Sequence, residues 1–161
     1  MADVGKAVIP GRTIAIAVDP SEHSKLAVNF YLTKLRVEGD KLIVIHCQEM
    51  FNIDQARLHY ASGAAFAEML REEEARVQAC ASENATLLKD AGVEVLKTRT
   101  DWGKPGEVIC RVAKEESCDI VVIGTRGQGK LRRTILGSVS DYVVHHSECP
   151  VVVCKHPHDK K

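Results

Sequence analysis

The sequence predicts an α/β domain: a single, Rossmann-like, doubly wound fold in which a parallel sheet carries helices on both faces. Two observations predict it. Short runs rich in Val and Ile alternate with segments of helical periodicity along the whole chain. Strands that alternate with helices form parallel sheets, because a parallel crossover is long and packs its helix back onto the sheet. Two of the runs, Leu42 to Cys47 and Ile120 to Ile123, are apolar almost without interruption, the mark of a strand covered on both faces. The size agrees: 161 residues with 45% apolar and 27% charged side chains make one ordinary domain with a core of its own.

The first run, Thr13 to Val18, reads as a strand and ends in the turn Asp19-Pro20-Ser21. Ser21 is the expected N-cap of a helix from about Glu22 to Arg36, with Leu26, Phe30 and Val37 on one face. Gly39-Asp40 stops it before the second strand, Leu42 to Cys47. Asn52 to Gly63 reads either as a further helical turn or as a loop. Ala64 to Ala91 is a long helix with Phe66, Leu70, Val77, Ala81, Asn84, Leu88 and Ala91 along one face, closed by Gly92 at the position after the cap. Val93 to Thr100 alternates in character, as expected of a half-exposed strand near an edge. Pro105 at the first helical position opens a helix through Glu116 that buries Val108, Ile109, Val112 and Ala113. Ile120 to Ile123 is the fourth strand. Gly137-Ser138 begins a last helix to about His146, and Pro150 to Cys154 is the fifth strand.

Lys+Arg and Asp+Glu balance at 22 each, which argues against a protein that coats nucleic acid or an anionic membrane. Residues 1–6 hold no apolar secretory core, and the longest apolar run, Ile14 to Val18, is far below the roughly 20 residues of a membrane span. The expectation is a soluble cytoplasmic protein without nucleic-acid or membrane partners. Its six cysteines (47, 80, 110, 118, 149 and 154) form no C-x-x-C pair and are expected to be free and mostly buried.

Sites in such sheets lie beyond the carboxyl ends of the strands, where the strand order reverses. The segment after the fourth strand stands out there. It reads Gly124-Thr125-Arg126-Gly127-Gln128-Gly129-Lys130-Leu131-Arg132-Arg133 and leads to Gly137-Ser138-Val139-Ser140. Glycines let the backbone turn sharply and approach a ligand closely. The free N–H groups of the helix that Gly137 opens suit a phosphate, and Ser138 and Ser140 add hydroxyl donors. Arg126, Lys130, Arg132 and Arg133 add positive charge. The bland alternative is a connection that binds nothing. A Walker A loop is excluded, because Leu131 stands where Ser or Thr should hold Mg²⁺. The dinucleotide fingerprint is excluded by the order of the glycines and by their place late in the chain.

A third pattern, G-x2-G-x9-G-[ST], is met in full by Gly124, Gly127, Gly137 and Ser138. With the first strand ending in Asp19, His46-Cys47 ending the second, Gly103-x-Pro105 before the third helix and Cys149-Pro150-Val151-Val152-Val153 at the end, the chain resembles the universal stress protein family over residues 11–155, between a tail of residues 1–10 and one of residues 156–161. The resemblance implies a five-stranded sheet of order 3-2-1-4-5 and ATP, accompanied by Mg²⁺, held between the ends of strands one and four. It implies that Ala17, Val18 and Asp19 line the adenosine end, with Asp19 on the ribose. Cys47 would meet adenine through its backbone, and Ile123 and Gly124 would floor the site. Arg126 and Gly127 would approach the phosphates that Gly137, Ser138, Val139 and Ser140 hold. It implies a homodimer through the last strand, Val151 to Cys154. Pro20 adds ring bulk where many members carry a small residue.

No nucleophile–base pair and no in-line carboxylate is visible, so no catalytic residue and no metal ligand is assigned. The expected function is that of a nucleotide-dependent stress-response and signalling module with at most slow ATP hydrolysis. The alternatives are an ATP-using enzyme, either a slow ATPase or a phosphotransferase, and a nucleotide-free, chaperone-like dimeric scaffold. Asp19-Pro20-Ser21-Glu22 lacks the glycines of an adenylating loop, which speaks against adenylation.

Overall fold

The computed structural model describes residues 11–48, 63–125 and 136–155. Its elements follow the order β1 (Thr13–Val18), α1 (Glu22–Phe30), β2 (Lys41–Gln48), α2 (Gly63–Asp90), β3 (Glu94–Trp102), α3 (Pro105–Glu115), β4 (Ile120–Gly124), α4 (Ser138–His146) and β5 (Val151–Cys154). The five strands form one sheet of order β3-β2-β1-β4-β5, and every pairing is parallel. Strand order reverses between β1 and β4, which places the switch point between those two strands.

Alternation along the central strands divides the core in two. Ile14, Ile16, Val18, Leu42, Val44 and Val122 face α1 and α2, where they meet Ala27, Val28, Tyr31, Ala85 and Leu88. Ala15, Ala17, Ile43, Ile45, Val121 and Ile123 face α3 and α4, where they meet Val108, Ile109, Val112 and Val143. Burial on both faces is why β1, β2 and β4 read as continuous apolar runs. β3 pairs with β2 alone, with a register shift at Leu42/Ile43, and it is half exposed as its alternation predicts.

Three elements depart from the sequence reading. The first helix is α-helical only to Phe30 and continues as a π-helical turn, Tyr31–Leu35. Its buried face is Ser24, Ala27, Val28 and Tyr31, while Phe30 and Val37 are exposed. The stripe of Leu26, Phe30 and Val37 is thus not the buried one, Leu26 being half-buried. The Tyr31 ring is fully buried because its hydroxyl donates to Asp40 Oδ2 at 3.1 Å, and this polar anchor fixes the rotation of the helix. In α2 the buried residues are Val77, Ala81, Ala85 and Leu88; Phe66 and Leu70 are half-buried and Ala91 is exposed. Asn84 turns to its own helix, donating to the Cys80 carbonyl at 2.8 Å. β3 starts one residue later and ends two residues later than the alternation suggests, closing on an exposed Trp102.

The end of α2 follows its sequence signal. Gly92 has φ +73°, its N–H donates to the Lys89 carbonyl at 2.8 Å, and the Val93 N–H donates to the Leu88 carbonyl at 3.0 Å. These two bonds form the Schellman closure, and buried Val93 packs in the same cluster as Leu88. All six cysteines are free, but only Cys118 and Cys154 are buried; the other four are half-buried. No helix among the described residues is long and apolar enough to cross a membrane. The ambiguous stretch before Gly63 and both tails lie outside the described residues.

Candidate functional site

The carboxyl ends of β1 and β4 meet the first turns of α1 and α4. β1 runs out through Ala17 and Val18, both buried, to a half-exposed Asp19. The Asp19 N–H donates to Ser24 Oγ at 3.0 Å. Asp19 Oδ1 accepts from the Ser21 N–H at 3.0 Å and from the Ser21 hydroxyl. Ser21 Oγ in turn accepts from the Ser24 N–H at 3.2 Å, which caps α1 as its position predicts. Asp19 therefore closes a tight polar turn in which one of its oxygens is already engaged.

The facing wall is β4. Gly124 presses so closely on α1 that a Cβ there would lie 2.5 Å from the His23 carbonyl oxygen. The next residue, Thr125, is fully buried and ties three segments together. Its N–H donates to the Cys154 carbonyl at 3.0 Å, its Oγ1 lies 3.1 Å from His23 Nδ1, and its carbonyl accepts from the Gly137 N–H at 2.7 Å. The Ser140 hydroxyl points at the same Thr125 carbonyl at 2.9 Å and at the Gly137 carbonyl at 3.0 Å.

These bonds fix the start of α4 beside the end of β4. Gly137 is its N-cap in extended conformation (φ −73°, ψ 158°), and no side chain caps the helix. The N–H groups of Ser138, Val139 and Ser140 are the first of the helix and have no carbonyl a turn below. They lie at the positive end of the helix dipole. This arrangement suits an anion.

β2 supplies the third wall. His46 stands opposite Val18 in register and is buried, and its Nδ1 has no hydrogen-bond partner among the described residues. Burial holds the His46 pKa below the usual histidine value, although a hydrogen bond with the Val18 backbone and the charges of Asp19 and Glu73 oppose that shift. The ring is therefore neutral at pH 7. Cys47 is half-buried on the opposite face, its thiol donating to the Gly103 carbonyl at 3.4 Å.

The universal stress protein family profile matches residues 11–155, nine-tenths of the chain. This chain belongs to the universal stress protein family. A universal stress protein of Thermus aquaticus is 31% identical over 144 residues, covering 89% of this chain and 98% of that one. Among solved structures, a universal stress protein family protein from Arabidopsis thaliana with AMP bound matches with a TM-score of 0.65 at 23% identity, over 92% of this chain and 94% of that one. A universal stress protein in complex with cAMP matches with a TM-score of 0.63 at 22% identity, over 88% and 95%.

Of the residues that the family motif singles out, the structure brings Ala17, Val18, Asp19, Cys47, Ile123, Gly124, Gly137, Ser138, Val139 and Ser140 to one end of the sheet. Arg126 and Gly127 lie outside the described residues, as do Lys130, Arg132 and Arg133. One expectation is corrected. The Ser140 side chain is buried and its hydroxyl is spent on backbone carbonyls, so what it can offer a phosphate is its N–H. Ser138 is the exposed hydroxyl of the pair. The sequence reading missed Ser24, His23 and Thr125. A serine five residues beyond Asp19 and a threonine directly after the first motif glycine were the available signals. Neither says that the serine would accept from the Asp19 N–H or that the threonine would bond to His23 across the switch point.

Proposed function

We propose that this universal stress protein binds ATP, with Mg²⁺ as the nucleotide's companion, and acts as a nucleotide-dependent stress-response and signalling module of the cytoplasm. The observation that carries the reading is the glycine-capped start of α4. Its first N–H groups are left without a side-chain cap and are locked beside the end of β4 through Thr125. Backbone donors there fit a phosphate without requiring charge from the described residues. The AMP and cAMP bound by two structural neighbours support an adenine nucleotide.

In this reading Ala17, Val18 and Asp19 take the adenosine end and the Cys47 backbone the base. Ile123 and Gly124 form the floor. Gly137, Ser138 and the N–H groups of Val139 and Ser140 hold the phosphates, together with Arg126 and Gly127. Asp19 is already occupied by Ser21 at one oxygen, which supports at most slow hydrolysis rather than a base poised on water. The protein would work as a homodimer through the edge strand Val151–Cys154, whose valines are only half-buried.

The test begins with mass spectrometry of nucleotide released by denaturing freshly purified protein. Calorimetric titration with ATP and Mg²⁺, AMP and cAMP follows. The expected result is co-purifying adenine nucleotide or saturable micromolar binding, abolished by Gly137→Val. The φ of −73° at Gly137 is open to any residue, so the variant should keep its fold while placing bulk where phosphate sits. Unchanged affinity in that variant would refute the placement. Turnover well above about 1 s⁻¹ would favour an enzyme instead.

A further inference from the structure

Three of the six thiols gather at the other end of the molecule, away from the nucleotide end of the sheet. Cys118, between α3 and β4, belongs to the second core cluster, and Cys110 of α3 and Cys149 before β5 pack against that cluster. The segments are also tied by charge. Lys114 pairs with Glu148, the neighbour of Cys149, and Lys114 lies one helical turn after Cys110 on the same face of α3. The Val121 N–H donates to the Pro150 carbonyl at 2.9 Å, which seats the Cys149–Pro150 segment beside the entry to β4.

Cys149 sits in a small polar turn. Its N–H donates to Ser147 Oγ at 3.3 Å, the Ser147 hydroxyl reaches its carbonyl at 3.0 Å, and Ser147 Oγ lies 3.4 Å from its sulfur. A hydroxyl at that distance can donate to a thiolate. Burial raises the Cys110 and Cys118 thiols, and the charge of a Cys149 thiolate adds to the rise in both. The two neighbours differ. Cys118 is buried, and burial pushes its thiol up to about 12. Cys110, like Cys149, is only half-buried.

We propose that Cys149 is a peroxide-reactive thiol that closes a reversible intramolecular disulfide with Cys110. The Cys149 thiolate attacks one oxygen of hydrogen peroxide. The S–O bond forms, the O–O bond breaks, and the hydroxide released takes up the thiol proton as water. The Cys110 sulfur then attacks the sulfenic sulfur. The S–S bond forms, the S–O bond breaks, and the departing hydroxide leaves as water with the Cys110 proton. Two thiols are oxidised, one peroxide is reduced, and two waters are formed. The bond would staple α3 to the entry of β5, the segment that the Lys114–Glu148 pair already holds.

The experiment is a peptide map of the whole folded protein, reduced, treated with hydrogen peroxide and alkylated without reductant. The expected result is a Cys110–Cys149 crosslinked peptide within one chain, with the other four cysteines alkylated and both thiols restored by dithiothreitol. Cys110→Ser should leave Cys149 as a sulfenic acid that a 1,3-dione traps. Cys118→Ser should crosslink as the parent does. An unreactive Cys149, a Cys118–Cys149 crosslink or a bond between chains would overturn the assignment. The map of the parent protein decides by itself if a serine variant fails to fold.

Discussion

The two ends of the sheet are built from different chemistry. At the amino end, Arg12 clamps Asp40 through two bonds of 2.8 and 2.7 Å, and Tyr31 and the Val37 N–H share the same carboxylate. Arg36 reaches across to the Ala91 and Gly92 carbonyls, and Asp119 accepts from the Thr13 N–H at 2.7 Å. Every one of these bonds has an ionised partner, and such bonds are worth about twice a neutral one. At the carboxyl end the ties described run through serine and threonine hydroxyls, the His23 ring, backbone, glycine and a single carboxylate, Asp19. The difference teaches a division of labour. Charge is concentrated where the fold must be held shut, and the switch-point end is held mostly by hydroxyls and backbone, with the Asp19 carboxylate closing one turn and backbone donors left for a guest.

The largest effect should come from breaking the amino end. Burial alone would raise the Asp40 carboxyl, but the Arg12 guanidinium, the Val37 N–H and the Tyr31 hydroxyl together hold it below the usual range. Asp40→Ala would leave a mostly buried guanidinium and a fully buried phenol without their partner. Breaking a buried pair costs on the order of 3 kcal/mol. For a chain of this length that is about 10 °C in Tm. Calorimetry or circular dichroism should show the fall. Nucleotide affinity of the folded fraction should stay within about twofold, because additivity holds for distant sites. A large loss of affinity would mean that the two ends are coupled.

Gly124→Ala attacks the other end. Its Cβ would meet the backbone of His23 at 2.5 to 2.7 Å, and backbone cannot swing aside as a side chain can. Overpacking of this kind costs about 1–3 kcal/mol. Here affinity should fall along with stability, because the strand end that floors the proposed site must move away from α1. A variant that loses stability alone would separate the floor from the ligand.

Much of this fold was legible in the sequence, because burial on both faces of a parallel strand leaves a continuous apolar run, and Gly92 and Pro105 mark helix ends by their own stereochemistry. The rotation of α1 was not. It is set by the Tyr31–Asp40 bond, which joins residues whose pairing no periodicity records. The candidate site was legible as a list of residues, through the spacing of Gly124, Gly127, Gly137 and Ser138. The direction of the Ser140 hydroxyl and the His23–Thr125 bond were not, since 102 residues separate the last two and only the folded switch point joins them.

His46 gives a smaller effect that pH reads directly. It is buried and its pKa is held down, so the unfolded chain takes up a proton that the folded one resists. Stability should be full above the unfolded value of about 6.5 and fall as pH drops below it. The His46→Phe variant should flatten the Tm profile between pH 7.5 and pH 5, as estimated from that reference value. The acid loss should survive in Asp40→Ala, whose missing carboxylate acts at lower pH. An unchanged slope in His46→Phe would place the acid sensitivity elsewhere.

The smallest change in stability should accompany a large change in function. α1 has a serine cap and α4 has a glycine in the same extended conformation, with nothing on its side to occupy the N–H groups. Gly137→Asp would supply the missing cap. Replacing Gly by Asp at an N-cap is worth a few tenths of a kcal/mol, and a carboxylate at the positive end of the dipole adds about as much again. The Gly137 N–H would keep its bond to Thr125. The Tm should therefore rise by about 1–2 °C. The same carboxylate would take the donors meant for phosphate and repel its charge, so titration calorimetry should show nucleotide affinity falling at least about tenfold, the equivalent of 1.4 kcal/mol. Opposite signs in one variant would show that the glycine cap is kept for a ligand at a cost to the helix. A rise in Tm with affinity intact would mean that the N–H groups of α4 are not where phosphate binds.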